Sequence, residues 1–104
     1  MALQHAKQGE VVHLPGLAEA PGSRALVKTE QFEAIHLVVR AGAELPPHKV
    51  SGQATLQCLS GRVTLSLGET IVTLAAGDWL FLERSEEHGV EGIEDAALLL
   101  TILF

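Results

Sequence analysis

The stretch Gly61-Arg62-Val63-Thr64-Leu65-Ser66-Leu67-Gly68 governs how the rest of the chain is read. Between its two glycines, Val63, Leu65 and Leu67 alternate with Thr64 and Ser66, the two-residue period of a strand with one apolar and one hydroxyl-bearing face. Outward from it the pattern repeats. Ile35 to Arg40, Ala54 to Leu59, Ile71 to Leu74 and Trp79 to Leu82 are short apolar-rich runs, set apart by Gly42, Pro46-Pro47, Gly52, Gly61, Gly68 and Gly77. Strand-turn-strand spacing of roughly ten residues from Gly42 onward predicts a sandwich or barrel. Ala97 to Phe104 is apolar at almost every position, which suits a strand buried on both faces, one of them against another subunit. Arg24 to Ala34 and Asp95 to Phe104 lack Gly and Pro and would also suit helices, but the spacing favours strands.

A chain of 104 residues is one domain. Its 47% hydrophobic and 19% charged composition is that of a folded protein rather than a disordered segment. The formal charge of −6 and the scattering of the seven basic residues exclude nucleic acid as an expected partner. With no Tyr, one Trp and three Phe, there are few platforms for stacking bases or sugars, so a small ligand is expected. Cys58 is the only cysteine, which rules out an internal disulfide and a cysteine-based zinc site, and suggests a cytoplasmic protein. Residues 1–10 contain no apolar leader, and no run approaches the ~20 apolar residues that span a bilayer, so no membrane partner is expected.

Two longer stretches carry a family resemblance. Gly42 to Gly61, enclosing Pro46-Pro47-His48-Lys49-Val50 and ending in the hairpin Leu59-Ser60-Gly61-Arg62-Val63, resembles the first motif of the cupin superfamily. Gly68 to His88, with Ala76-Gly77-Asp78 before Trp79 to Leu82 and His88 after the next turn, resembles the second. The resemblance implies an all-β fold, an antiparallel double-stranded β-helix or jelly-roll barrel. It also implies one domain over residues 1–104, with N-terminal strands in 1–41 and the motif-bearing barrel in 42–104.

The same resemblance implies a metal site of three His and one Glu, and here the chain departs from it. His48 takes the first His position and His88 the third, but Val50 stands at the second and Ala54 at the Glu position. Neither side chain has a lone pair to donate, so at most a weakly bound divalent metal ion on His48 and His88 is expected as cofactor. The pocket is expected to be formed by His48, Val50, Ala54, Leu56, Cys58 and His88, the last three strand residues before His88 sharing one parity. Cys58 reads as a small buried hydrophobe. Gln53 and Gln57 have the opposite parity, and Glu83, Glu86 and Glu87 read as a solvated turn. His36 points away from the core with Val38 and Arg40, toward the surface or a subunit contact, whereas Trp79 and Phe81 read as core.

The leading functional expectation is therefore a small-molecule-binding cupin whose ligand sits around His48 and His88. The enzyme alternative is a metal-dependent oxygenase or isomerase with an incomplete two-His site, and the third is an interaction module with a vestigial pocket. The sequence does not choose whether the chain is an enzyme. A homodimer is expected, because a barrel this small cannot cover Leu98-Leu99-Leu100-Thr101-Ile102-Leu103-Phe104.

Overall fold

The computed structural model describes residues 5–14, 22–47 and 51–104, and His48 by its main chain. Among the described residues nine strands follow one another: β1 (Arg24–Lys28), β2 (Phe32–Val39), β3 (Glu44–His48), β4 (Ala54–Ser60), β5 (Arg62–Leu67), β6 (Thr70–Ala75), β7 (Trp79–Leu82), β8 (His88–Gly92) and β9 (Ala96–Leu103). They form a five-stranded sheet, β1-β2-β9-β4-β7, and a four-stranded sheet, β3-β8-β5-β6, with every pairing antiparallel. This is the all-β, double-stranded β-helix architecture expected from the sequence. Arg24–Lys28 and Ala96–Leu103, the segments that also suited helices, are strands. No helix among the described residues is long and apolar enough to cross a membrane.

Side-chain alternation puts the core between the sheets. In β5, Val63 and Leu65 face inward while Thr64 and Ser66 face out, and across the ladder Leu65 stands opposite Val90 of β8. On the other sheet, Ala54, Leu56 and Cys58 of β4 meet Leu98, Leu100 and Ile102 of β9 in register, and Ile35, Leu37 and Val39 continue the layer on β2. Thirteen buried apolar residues from both sheets make one cluster among the described residues. β9 lies between β2 and β4, which accounts for its continuous apolarity.

Two features escaped the sequence reading. β3 contains Pro46 and Pro47, which cannot donate to a ladder; it is tolerated because β3 is an edge strand, and its register shifts between Leu45 and His48. β7 presents Leu80 and Leu82 inward, opposite Leu56 and Ala54, so Trp79 and Phe81 point out of the five-stranded sheet, 59% and 48% exposed. They are not core residues. Parity had left both faces of this apolar strand equally eligible, and only its place at the sheet edge decides which one water reaches.

Candidate functional site

One end of the space between the sheets is not filled by the described side chains. A cavity of about 490 Å³ opens there, within the range of small-molecule sites. Ile35 and Leu37 of β2, Leu56 of β4, Leu82 of β7 and Leu100 and Ile102 of β9 form one wall. Leu45, Pro46 and Pro47 of β3 and His88 and Val90 of β8 form the other. His88 is the only polar or titratable side chain among the described lining residues.

The ladder aims His88. It pairs with Leu67, two residues beyond the inward-facing Leu65, so it points between the sheets and is only 3% exposed. The turn before it orients the ring: Nδ1 lies 3.1 Å from the main-chain oxygen of Glu86, and because a carbonyl can only accept, Nδ1 carries the proton of this bond. The lone pair of the neutral ring is then on Nε2. The same turn bends through Ser85, whose φ of 61° is in the left-handed region. Glu83 is exposed and accepts a hydrogen bond from Gln53 Nε2 at 3.0 Å, which with the Arg84 main-chain N–H holds its carboxyl below the usual range. The glutamates of this turn thus stay at the surface, and the turn contributes a main-chain oxygen to His88 rather than a carboxylate.

The other expected pocket residues are distributed differently. Leu56 lines the cavity with His88. The His48 main chain stands directly opposite His88 in the β3–β8 ladder, which brings the two motif positions together; the His48 side chain and Val50 lie outside the described residues. Ala54 and Cys58 face inward with Leu56, but both are fully buried in packed core and are not among the cavity walls. The Cys58 thiol donates toward the Ser60 main-chain oxygen, 3.4 Å away, and burial pushes its pKa up, which suits an inert thiol. Ile35, Leu37, Leu45, Val90, Leu100 and Ile102 were not expected at the pocket. The alternation of Ile35 and Leu37 was legible, but not which strands would leave the space in front of them open.

His36 requires a correction. It does point away from the cavity, opposite Arg24 on β1 and Leu99 on β9, but it is 1% exposed rather than at the surface.

The described donors do not by themselves make a metal site. Where the family pattern has a carboxylate, Ala54 is enclosed opposite Leu82 and Ile102, and the other described cavity residues are hydrocarbon. No three His, Cys, Asp or Glu side chains come together among the described residues. A divalent ion here would exchange its water shell for one described imidazole and methyl groups. A second cleft, about 220 Å³, lies on the outer side of the four-stranded sheet, where Glu44 and Glu91 face each other beside Thr64. It is open, and its carboxylates are solvated.

Solved structures resemble the whole chain. A cupin superfamily protein from Desulfitobacterium hafniense superposes with a TM-score of 0.81 at 18% identity, covering 100% of this chain and 99% of its own. A conserved Streptococcus pyogenes protein of unknown function gives 0.79 at 19% identity, covering 98% and 96%. An RmlC-like cupin with a double-stranded β-helix fold from Methanocaldococcus jannaschii gives 0.77 at 17% identity, covering 94% and 93%. At such identities the likeness is one of fold. No curated protein matches the sequence. The family model of the cupin domain, however, matches residues 35–104, about two thirds of the chain and every described residue that walls the cavity. With both motifs, the two-sheet topology and the family model in agreement, the chain belongs to the cupin family.

Proposed function

We propose that this cupin binds a small molecule in the cavity between its sheets, with His88 as the polar contact. One observation carries the reading: an unfilled space of about 490 Å³ with an inward-aimed, nearly buried imidazole in its wall. The described residues leave apolar surface unpacked here, and a ligand that covers that surface would stabilise the folded chain by mass action. His48 joins His88 in this reading through the register that sets their main chains opposite each other. The metal-dependent alternative has no comparable support, since the two missing donors, Val50 and Ala54, are replaced by side chains that cannot coordinate.

The test is a thermal-shift screen of a metabolite collection on the wild-type chain and on His88→Ala, with metal removed by chelator. Compounds that raise the wild-type melting temperature should lose most of that effect in His88→Ala, while the unliganded melting temperatures of the two proteins stay within a few degrees. A large loss of stability in His88→Ala with ligand shifts unchanged would make His88 structural and end the proposal.

A further inference from the structure

We infer that Glu83, exposed and outside the cavity, is a positioning residue for His88: tied to Gln53, its side chain holds the β7–β8 turn in the shape that brings the Glu86 carbonyl to the ring. The functional weight of that ring rests on the reading of the cavity as a ligand site; its orientation does not. The turn is costly by itself. Ser85 stands at φ 61°, the only positive-φ residue other than glycine among the described residues, in a region that a Cβ disfavours. The main-chain bond that closes the turn, from the Glu86 N–H to the Glu83 carbonyl, is long at 3.3 Å. Such a conformation persists only where contacts around it impose it.

Those contacts converge on one carboxylate oxygen. Glu83 Oε1 accepts the Arg84 N–H at 3.1 Å and Gln53 Nε2 at 3.0 Å, so it grips the turn from within and fastens it to the segment before β4. Gln53 is anchored in turn: its carbonyl accepts the Leu103 N–H at 2.8 Å, and the buried Gly52 beside it lies so close to the Leu103 carbonyl that a Cβ would overlap it. A chain of contacts thus runs from the end of β9 through Gln53, Glu83 and Glu86 to Nδ1 of His88, 3.1 Å from the Glu86 oxygen. A bond of this kind decides which ring nitrogen carries the proton, so loosening the Glu83 link should release the ring. Both donors to Oε1 are neutral amides, so the role needs an acceptor oxygen at position 83 rather than a charge.

The test is nitrogen-15 magnetic resonance of the histidine rings at pH 8, in chelator and without ligand, with the His88 ring assigned through bonds from its main chain. In the wild type the Nδ1–H form of His88 should dominate. Glu83→Ala should lower the ratio of Nδ1–H to Nε2–H by roughly five-fold, the scale of losing one net hydrogen bond. Gln53→Ala, which cuts the tether from the other side, should shift the ratio in the same direction. Glu83→Gln keeps Oε1 and should hold the ratio within about two-fold of the wild type. Ser85→Gly added to Glu83→Ala should recover most of the loss, because glycine adopts this φ without support. His88 signals unchanged in both Glu83→Ala and Gln53→Ala overturn the inference, and so does a loss in Glu83→Gln equal to that in Glu83→Ala. Either result leaves the ligand reading standing, whereas ligand shifts that survive in His88→Ala end that reading and leave the control of the ring by Glu83 as the spectra give it.

Discussion

At the scale of single residues, the two buried histidines do different things. His88 is held by Glu86 and faces the cavity, whereas His36 is shut into the opposite face of the five-stranded sheet beside Arg24. Among the described residues, neither His36 Nε2 nor Arg24 Nε has a hydrogen-bond partner. Protonating His36 would place a second positive charge next to Arg24 away from water, so burial first, and Arg24 second, hold its pKa below the ordinary 6.5. The folded ring then stays neutral at pH values where the unfolded chain takes up a proton. Its contribution is constant above about 6.5 and stability is lost as pH falls from there toward the lowered folded value. Between pH 7.5 and 5, the melting temperature of His36→Leu should therefore fall less than that of the wild type, and parallel curves would refute this account. Ala54 supports a second prediction. Because it and Val50 occupy donor positions, any divalent ion should leave on dialysis against a chelator; one ion per chain retained by elemental analysis would contradict the donor argument. Val50→His with Ala54→Glu should reverse the behaviour, giving a melting temperature that rises with excess nickel and falls in chelator, since a carboxylate opposite Leu82 and Ile102 is costly until a cation neutralises it.

At the scale of elements, turns decide whether the alternation of neighbouring strands stays in phase. The β4–β5 turn depends on Gly61, whose φ is +76° and whose missing side chain leaves room for the Asp95 carbonyl and the Ala96 Cα. The β5–β6 turn has Gly68 at a similar φ of +60°, but with open space around it. Gly61→Ala therefore suffers both backbone strain and a clash with main-chain atoms, and should cost about 3 kcal/mol. Gly68→Ala suffers the strain alone, about 1 kcal/mol. Urea denaturation of the two variants separates these cases, and equal losses would mean that the contact with β9 is irrelevant. The β6–β7 turn is secured differently: Asp78 accepts the Ala75 N–H through its carboxylate at 2.9 Å, while Gly77 and Asp78 exchange main-chain bonds with Cys58 on β4. The Ala76-Gly77-Asp78 signal in the sequence is this turn. Its partner motif was legible only as a loop around Pro46-Pro47, because a strand with two prolines is possible only where no neighbour needs their N–H groups, and edge position is not a local property.

At the scale of the whole molecule, the two outer faces differ in charge. The four-stranded sheet presents Glu44 and Glu91 in one cross-strand row. On the outer side of the five-stranded sheet, Leu99, Gln57 and Trp79 share a row with the buried His36, and Ala34, Thr101, Thr55 and Phe81 form the next, with no acidic residue in either although the chain carries a net −6. Copies of an acidic protein meet with least repulsion on such a face, and a two-fold pair would lay the exposed Trp79 and Phe81 of each chain against the other. We therefore expect a homodimer through this face, with twice the chain mass in light scattering at micromolar concentration. Trp79→Glu with Phe81→Lys should give monomers that keep the β-sheet circular dichroism spectrum. A wild-type protein that is monomeric under these conditions would remove the basis for the pairing.

What the sequence by itself determined is what a two-residue period can encode: the all-β class and the inward sets Val63 and Leu65, and Ala54, Leu56 and Cys58. These are local, since alternation assigns each side chain to a face before anything packs against it. Tertiary structure alone decided which faces are covered and where the core stops. It buried His36 under a sheet face that parity had assigned to the outside, left Trp79 and Phe81 in water, and placed Ala54 and Cys58 in packed core while Leu56, two residues from each, reached the cavity. The reason is physical: burial and empty volume are set by strands distant in sequence, with β9 lying between β2 and β4 and β3 meeting β8, and no local pattern records those distances.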